Sequence, residues 1–132
     1  MDEKTEIAMI NIKRIYAIPE EKDGYRILID RLWPRGIKKD KAGIDQWFKA
    51  AAPSPELRKW FHENPIERWP AFKKNYKAEL KKNKDLEEFE KLIEEHPVIT
   101  LIFGAKDDQH NHALVLQHFL NEKFKATTPE KA

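Results

Sequence analysis

VITLIF, residues 98–103, is a nearly unbroken apolar run that is rich in β-branched side chains. A run of this kind, placed between His96-Pro97 and Gly104, is typical of a strand covered on both faces. It therefore predicts an α/β fold: a small, mainly parallel sheet flanked by helices on both faces, within a single domain.

Two further strands are predicted upstream. In YRILID (residues 25–30), Tyr25, Ile27 and Ile29 face one side, and the strand ends at the Leu32-Trp33-Pro34 run because proline cannot donate to a ladder. An earlier strand lies within residues 7–18, with an alternation that slips by one position. The connection at residues 19–24 is short for a parallel crossover, so the pair forms either a hairpin or a crossover carried by a short helical turn.

Helical periodicity fills the rest of the chain. The i, i+3, i+4 spacing of Ile44, Trp47 and Phe48 predicts a helix from Asp40 that Pro53 stops. Further helices are predicted after the Ser54 N-cap, from Pro70 with a stripe of aromatic residues, and after a capping box at residues 85–88. A closing helix over residues 113–124 follows the polar loop GAKDDQHN (104–111).

Composition limits the possible functions. The 132 residues are treated as one domain, with an ordered core over about 7–125 and a frayed tail at 126–132. The absence of cysteine excludes disulfides, thiolate-bound zinc and thiol catalysis, and a net charge of +2 is weak for a protein that binds nucleic acid with its whole surface. No apolar run approaches the roughly 20 residues of a membrane span, and no signal peptide is visible, so a cytoplasmic location without membrane contact is expected.

Two polar loops follow predicted strands, at residues 31–39 and 106–112. In an α/β domain, ligands bind beyond the carboxyl ends of the strands, so the two loops share one edge if their strands run parallel. Arg31, Arg35 and Lys38 then face the start of the last helix and could hold an anion together with Lys106. The alternative is that Arg31 pairs with an acid such as Asp30 or Glu79, and that the other cations are solvated surface.

Other patterns point to less specific chemistry. Trp33 could stack on a base, although packing explains it as well, and His112 could transfer protons or contact a phosphate. The His110-x-His112 pair lacks a third ligand, so no metal is expected. The sequence contains no glycine-rich phosphate-binding loop, so no nucleotide cofactor is expected. Ser54, the sole serine, is explained as a helix cap, which makes a serine hydrolase improbable.

Four segments together resemble the YeaO-like family of small prokaryotic proteins, which are grouped under a domain of unknown function. The segments are DRLWPRGIKK (30–39), APSPELRKWF (52–61), FKKNYKAEL (72–80) and LIFGAKDDQHNHALVL (101–116), and the match runs from about residue 12 to 120. The resemblance implies a compact cytosolic α/β domain and supplies no activity. More distant relatives carry a cysteine in the region of the 106–112 loop, and this chain has none.

The family pattern also falls on polar residues that are unusual as pure scaffold. They are Arg31, Arg35, Arg58, Tyr76, Glu79, Lys106, Asn111 and His112. The leading hypothesis is an anionic small molecule bound by Arg31, Trp33, Arg35, Lys38, Arg58, Lys106 and Asn111, with His112, Glu79 and Tyr76 as candidates for proton transfer. The alternatives are a nucleic-acid-binding module that uses Trp33 and the basic turn at 35–41, and an interaction domain with no ligand.

Overall fold

A parallel sheet organises the chain in a computed structural model, which describes residues 9–124. VITLIF forms β4 (Val98–Phe103) and lies between β1 (Met9–Arg14) and β2 (Tyr25–Leu28), while β3 (Gln46–Trp47) forms the edge beside β2. Every pairing is parallel, and five of the six side chains of β4 are buried. The central parallel strand predicted from the apolar run is confirmed.

The connection between β1 and β2 is a crossover. Both strands pair with β4 in parallel, and a single 3₁₀ turn (Glu21–Asp23) carries the chain between them. Gly24 ends this turn at φ +68°, and a Cβ there would collide with the carbonyl oxygen of Val98. The close approach of these two backbones explains why glycine occupies the position.

Four α-helices cover one face of the sheet. They are α1 (Pro55–Glu63), α2 (Pro65–Lys82), α3 (Leu86–Glu94) and α4 (His112–Phe124). Their buried residues join Ile27, Leu101 and Phe103 in the larger hydrophobic cluster. The other face carries a smaller cluster around Leu28 and Ile102, which is covered by residues 33–47 and their 3₁₀ turn at Lys39–Lys41. The α/β class and the parallel sheet are confirmed. Helices were predicted on both faces, but all four α-helices lie on one face, and within residues 9–124 the second face has a 3₁₀ turn instead.

The helix predicted from Asp40 to Pro53 is wrong. This segment contains β3 and two 3₁₀ turns, and Trp47 pairs with Leu28 in the sheet. Adjacent residues of an extended chain point to opposite faces, so Trp47 packs in the smaller cluster and Phe48 against the larger one. The helical spacing arose because two separate cores each take one of the two aromatic side chains.

Two helix starts also differ from the prediction. The Ser54 cap is confirmed, since its Oγ accepts a hydrogen bond from Leu57 N at 3.2 Å. The next helix, however, begins at Pro65 and contains Pro70, because Pro65 already supplies the favoured first position. Asp85 makes no capping bond, since its backbone is helical (φ −70°, ψ −13°) and a capping side chain needs an extended backbone.

Two further predictions concern the ends of the chain and the membrane. The first strand is shorter than the predicted 7–18, and residues 7–8 and the tail at 126–132 lie outside the described residues. No helix within residues 9–124 is both long and apolar enough to cross a membrane.

Candidate ligand-binding cleft

A cleft of about 320 Å³ opens where the chain leaves the carboxyl ends of β1, β2 and β4. Three segments line it: residues 30–35 after β2, residues 104–112 after β4, and the 52–62 region around α1, with Tyr16 following β1. The two polar loops therefore open on the same edge of the sheet, as the parallel alternative predicted. The position is the one at which α/β domains bind ligands.

The walls of the cleft are largely apolar. Five large apolar residues belong to the lining: Leu32, Trp33, Pro34, Phe61 and Phe72. Leu32 is 62% exposed at the mouth. A ligand here would meet hydrocarbon surface as well as the polar groups.

Arg31 lies in the cleft lining but is occupied by the protein itself. Its Nε donates to the carbonyl of Pro53 at 3.3 Å, and its Nη2 donates to the carbonyls of Ala52 at 3.3 Å and Pro53 at 3.0 Å. Within residues 9–124 it forms no ion pair with Asp30 or Glu79. The guanidinium thus fixes the loop that precedes α1.

Arg35 and Arg58 differ from Arg31. Both are exposed and line the cleft, and neither side chain makes a hydrogen bond or ion pair within the described residues. Arg35 is positioned through its backbone, whose carbonyl accepts a hydrogen bond from the Tyr16 hydroxyl at 2.9 Å. These two guanidinium groups are available to a ligand.

Asp30 and His112 meet at the base of the cleft. Asp30 Oδ2 accepts a hydrogen bond from Gly104 N at 3.0 Å, and Asp30 Oδ1 lies 3.2 Å from His112 Nε2. The same Nε2 lies 3.1 Å from the carbonyl oxygen of Ile29. This contact joins the end of β2 to the first residue of α4.

The loop before α4 is held by its own side chains. Asn111 is 1% exposed, and it donates to the carbonyl of Asp107 at 2.9 Å while accepting from Leu114 N at 3.0 Å, so it caps α4. His110 Nδ1 lies 2.9 Å from Asp107 Oδ2. Hydrogen bonds from the Gln109 backbone and from His110 hold the pKa of Asp107 below its ordinary value.

Tyr76 and Glu79, both candidates for proton transfer, lie outside the cleft. The Tyr76 hydroxyl donates to the carbonyl of Ala51, and burial, reinforced by nearby Glu79, raises the pKa of Tyr76 well above its ordinary value. Glu79 accepts from Ser54 N at 2.9 Å and from Ser54 Oγ at 2.6 Å. Both residues secure the start of α1, and neither lines the cleft.

The remaining predicted residues divide between packing and surface. Trp33 donates from Nε1 to the carbonyl of Ile37 at 2.7 Å and packs its ring edgewise against Trp47, so one side lines the cleft and the rest is anchored. Lys38 and Lys106 are exposed and do not line the cleft.

Asp30 and His62 line the cleft, although the sequence analysis did not name them as site residues. Asp30 was considered only as a partner of Arg31, although a carboxylate directly after a strand lies at the binding edge. His62 lines the cleft, and desolvation, followed by the charges of Arg58 and His112, lowers its pKa, while Asp30 opposes the shift. Its i+4 spacing from Arg58 on an exposed helix face was the signal that could have found it.

The histidines and acids of the described residues are not arranged around a common point. Within residues 9–124, no group of three or more histidine, aspartate or glutamate side chains is placed to hold a metal ion. His110 is directed to Asp107, and His112 to Ile29 and Asp30, so the two histidines do not share one point.

The fold and the cleft define a small α/β protein with a cleft at the carboxyl edge of a parallel sheet. The chain belongs to the family described as the inactive DUF488-N3 subclade, whose model matches residues 9–132. It is 45% identical over 113 residues to the uncharacterised protein YeaO of Escherichia coli K12, covering 84% of this chain and 96% of that protein. The resemblance to the YeaO-like family is confirmed.

Mycobacterial relatives share the same extent. An uncharacterised protein of Mycobacterium tuberculosis and one of Mycobacterium bovis are each 38% identical over 112 residues, covering 85% of this chain and 93% of the relative. No solved structure matches the chain.

Proposed function

We propose that this protein binds a small anionic molecule in the strand-end cleft. The observation that carries the proposal is that Arg35 and Arg58 both line the cleft without a partner within residues 9–124. Asp30 is the one carboxylate in the lining, and Gly104 N already bonds one of its oxygens. An excess of cationic over anionic side chains in a concave site favours an anionic ligand.

The shape and the walls narrow the ligand further. A volume of about 320 Å³ lies at the lower end of the range for small-molecule sites. Guanidinium groups bind carboxylate or phosphate oxygens through paired hydrogen bonds, and the apolar walls would cover the remainder of the molecule. The proposed ligand contacts do not include Arg31, because its guanidinium group is bonded to backbone carbonyls. They also do not include Lys38 and Lys106, because neither lysine lines the cleft.

Binding is proposed in preference to catalysis. The chain has no cysteine, and the family to which it belongs is described as inactive. Tyr76 and Glu79 are both engaged outside the cleft, so they do not assist His112 in moving protons. The cytoplasmic location predicted from the sequence stays a prediction.

Thermal unfolding in the presence of anions tests the proposal. A panel of phosphate, phosphate esters and di- and tricarboxylates should contain ligands that raise the unfolding temperature, since a ligand at about 100 times its Kd adds about 2.7 kcal/mol of stability. Arg35→Ala and Arg58→Ala should lose most of that gain. Lys38→Ala and Lys106→Ala remove the same charge outside the cleft and should retain it.

The outcome that contradicts the proposal is equally specific. If no anion stabilises the wild-type protein, or if the two lysine variants lose as much as the two arginine variants, the cleft is not the anion site. An equal loss in the lysine and arginine variants would mean that anions stabilise the protein through its general surface charge.

The nucleic-acid alternative gains no support from the geometry. The indole N–H of Trp33 is bonded to the Ile37 carbonyl, and its ring packs on Trp47 with Lys39 lying over both rings. Filter binding of single-stranded RNA and DNA at two salt concentrations tests this alternative, because phosphate contacts weaken steeply with salt. An interaction domain without a ligand is the reading left if both tests fail.

A further inference from the structure

The hydrogen bonds of His112 determine which of its ring nitrogens carries hydrogen. Nε2 lies 3.1 Å from the Ile29 carbonyl oxygen and 3.2 Å from Asp30 Oδ1. A carbonyl oxygen can only accept, and so can an ionised carboxylate. Nε2 must therefore be the protonated nitrogen, in the neutral ring as well as in the charged one.

Asp30 is held so that it reinforces this choice. Its Oδ2 accepts from Gly104 N at 3.0 Å, and a Cβ at position 104 would come within 2.8 Å of that oxygen. Its Oδ1 is buried and has no hydrogen-bond partner of good geometry among residues 9–124. Because an unsatisfied carboxylate oxygen is costly to bury, a hydrogen on the adjacent Nε2 is favoured.

The other ring nitrogen, Nδ1, makes no hydrogen bond within the described residues, and His112 is one of the residues that line the cleft. With the hydrogen on Nε2, the neutral ring keeps a lone pair on Nδ1 that no described residue uses. The polar neighbours of His112 from other elements are His62 on α1, which is itself close to Arg58, and Tyr76 on α2, whose hydroxyl donates to the Ala51 carbonyl.

We infer that the cleft selects anions that carry their own O–H group, such as hydrogen phosphate or a hydroxy acid. The ligand O–H donates to His112 Nδ1, while its anionic oxygens face Arg35 and Arg58. An anion of the same shape and charge without a hydrogen places an oxygen against the lone pair and is repelled. This inference rests on the proposed anion site and names the class of anion that the site takes.

Hydrogen phosphate and sulfate form a matched pair of probes. Both are tetrahedral dianions at about pH 8, where an ordinary histidine is neutral, and only hydrogen phosphate has a hydrogen to donate. At equal ionic strength, phosphate should bind about tenfold more tightly than sulfate, a difference of about 1.4 kcal/mol, because phosphate gains a hydrogen bond where sulfate meets the lone pair. Calorimetric titration or the anion-dependent unfolding temperature measures the ratio.

Two variants and one spectrum test the atoms involved. His112→Phe keeps a ring but removes the acceptor, so the preference for phosphate should disappear, whereas His118→Phe on the exposed side of α4 should keep it. The ¹⁵N spectrum of the imidazoles should show His112 as the Nε2–H tautomer. Asp30→Asn should increase the Nδ1–H tautomer and reduce the preference, because an amide N–H then faces Nε2.

The outcomes separate the two proposals. Equal affinity for phosphate and sulfate in the wild-type protein overturns the inference and leaves the anion site standing, and so does an Nδ1–H tautomer in the wild-type spectrum. Absence of binding by every anion in the panel overturns both. The wild-type comparison needs no variant, so it stands even if a substitution prevents folding.

Discussion

Two groups of charged residues in this molecule are built in opposite ways. Against the second face of the sheet, Asp23 accepts hydrogen bonds from Arg26 Nη1 at 2.6 Å, from Lys13 Nζ at 3.0 Å and from Glu20 N at 2.9 Å. The other Arg26 donors reach the carbonyls of Gly43 at 2.8 Å and Ala42 at 3.0 Å. We call these residues, Lys13, Glu20, Asp23 and Arg26, the ionic cluster.

The strand-end cleft has two charges without such partners. The side chains of Arg35 and Arg58 make no ion pair and no hydrogen bond within residues 9–124. A buried charge is retained for structure when every donor and acceptor is matched. The contrast shows that the charged groups of the ionic cluster satisfy one another within the fold, whereas the cleft has guanidinium groups without partners among the described residues.

Breaking the ionic cluster should have the largest effect. Asp23→Asn leaves Arg26, which is 4% exposed, without its counter-charge, and should lower the free energy of unfolding by about 3–5 kcal/mol. Urea titration measures the loss. Glu21→Gln, at an exposed acid in the same turn, should change it by less than about 0.5 kcal/mol, and a loss below about 1 kcal/mol in Asp23→Asn would contradict the comparison.

Acid should remove the contribution that the ionised Asp23 makes to the free energy of unfolding. Burial alone would raise the pKa of Asp23, but the hydrogen bonds from Glu20, Lys13 and Arg26 outweigh it and lower the pKa below its ordinary value. The stability is therefore present above about pH 4 and is lost as the pH falls through the lowered pKa. The difference between wild type and Asp23→Asn should narrow on acidification, and a constant difference would show that Asp23 does not act through its charge.

Glu79 should contribute to the stability of the fold, as the ionic cluster does, and not to anion binding. Glu79→Ala removes two hydrogen bonds to Ser54 and should cost about 1–3 kcal/mol of stability. The stabilisation by anions should stay the same, because Glu79 does not line the cleft. Glu88→Ala, at an exposed acid on α3, is the control for stability, and a loss of anion binding in Glu79→Ala would move the residue into the site.

Substitutions of Arg31 and Arg58 should have different effects on stability and on anion binding, although both residues line the cleft. Arg31→Ala releases the carbonyls of Ala52 and Pro53 and should lower the free energy of unfolding by about 1–3 kcal/mol. Arg58→Ala should change it by less than about 0.5 kcal/mol and should weaken anion binding. Chemical denaturation with and without phosphate measures both effects, and equal stability losses would erase the distinction between a tether and a ligand contact.

His62 should give the smallest effect, as a pH dependence. Desolvation and the neighbouring charges of Arg58 and His112 lower its pKa, so it takes a proton only below the ordinary histidine value of about 6.5. Protonation adds a positive charge to the cleft, so sulfate affinity should rise several-fold as the pH falls in a His112→Phe background, where the lone pair of His112 no longer contributes. His62→Gln should reduce that rise, and an unchanged profile would remove His62 from the site.

The sequence predicted the parts of the fold that depend on local pattern. The central strand and the Ser54 cap follow from short stretches whose chemistry has one favourable structure. Six of the residues named as site candidates line the cleft: Arg31, Trp33, Arg35, Arg58, Asn111 and His112. Asp30 and His62 lie where the strand-end rule and the i+4 spacing could have placed them.

Other features depended on contacts between distant segments. Trp47 and Phe48 have helical spacing, but each packs in a different core, and no local pattern shows that two cores exist. Arg31 is a cation in a basic turn by sequence, and only its contact with Pro53, 22 residues away, makes it a tether.

The sequence by itself determined a parallel α/β domain with cations after its strands, because apolar runs and turn residues act over a few positions. The tertiary structure alone decided which cations are satisfied and which are not. Charge pairing depends on where separate segments meet in space: the same residue type closes a network at Arg26, holds a loop at Arg31 and remains open at Arg58.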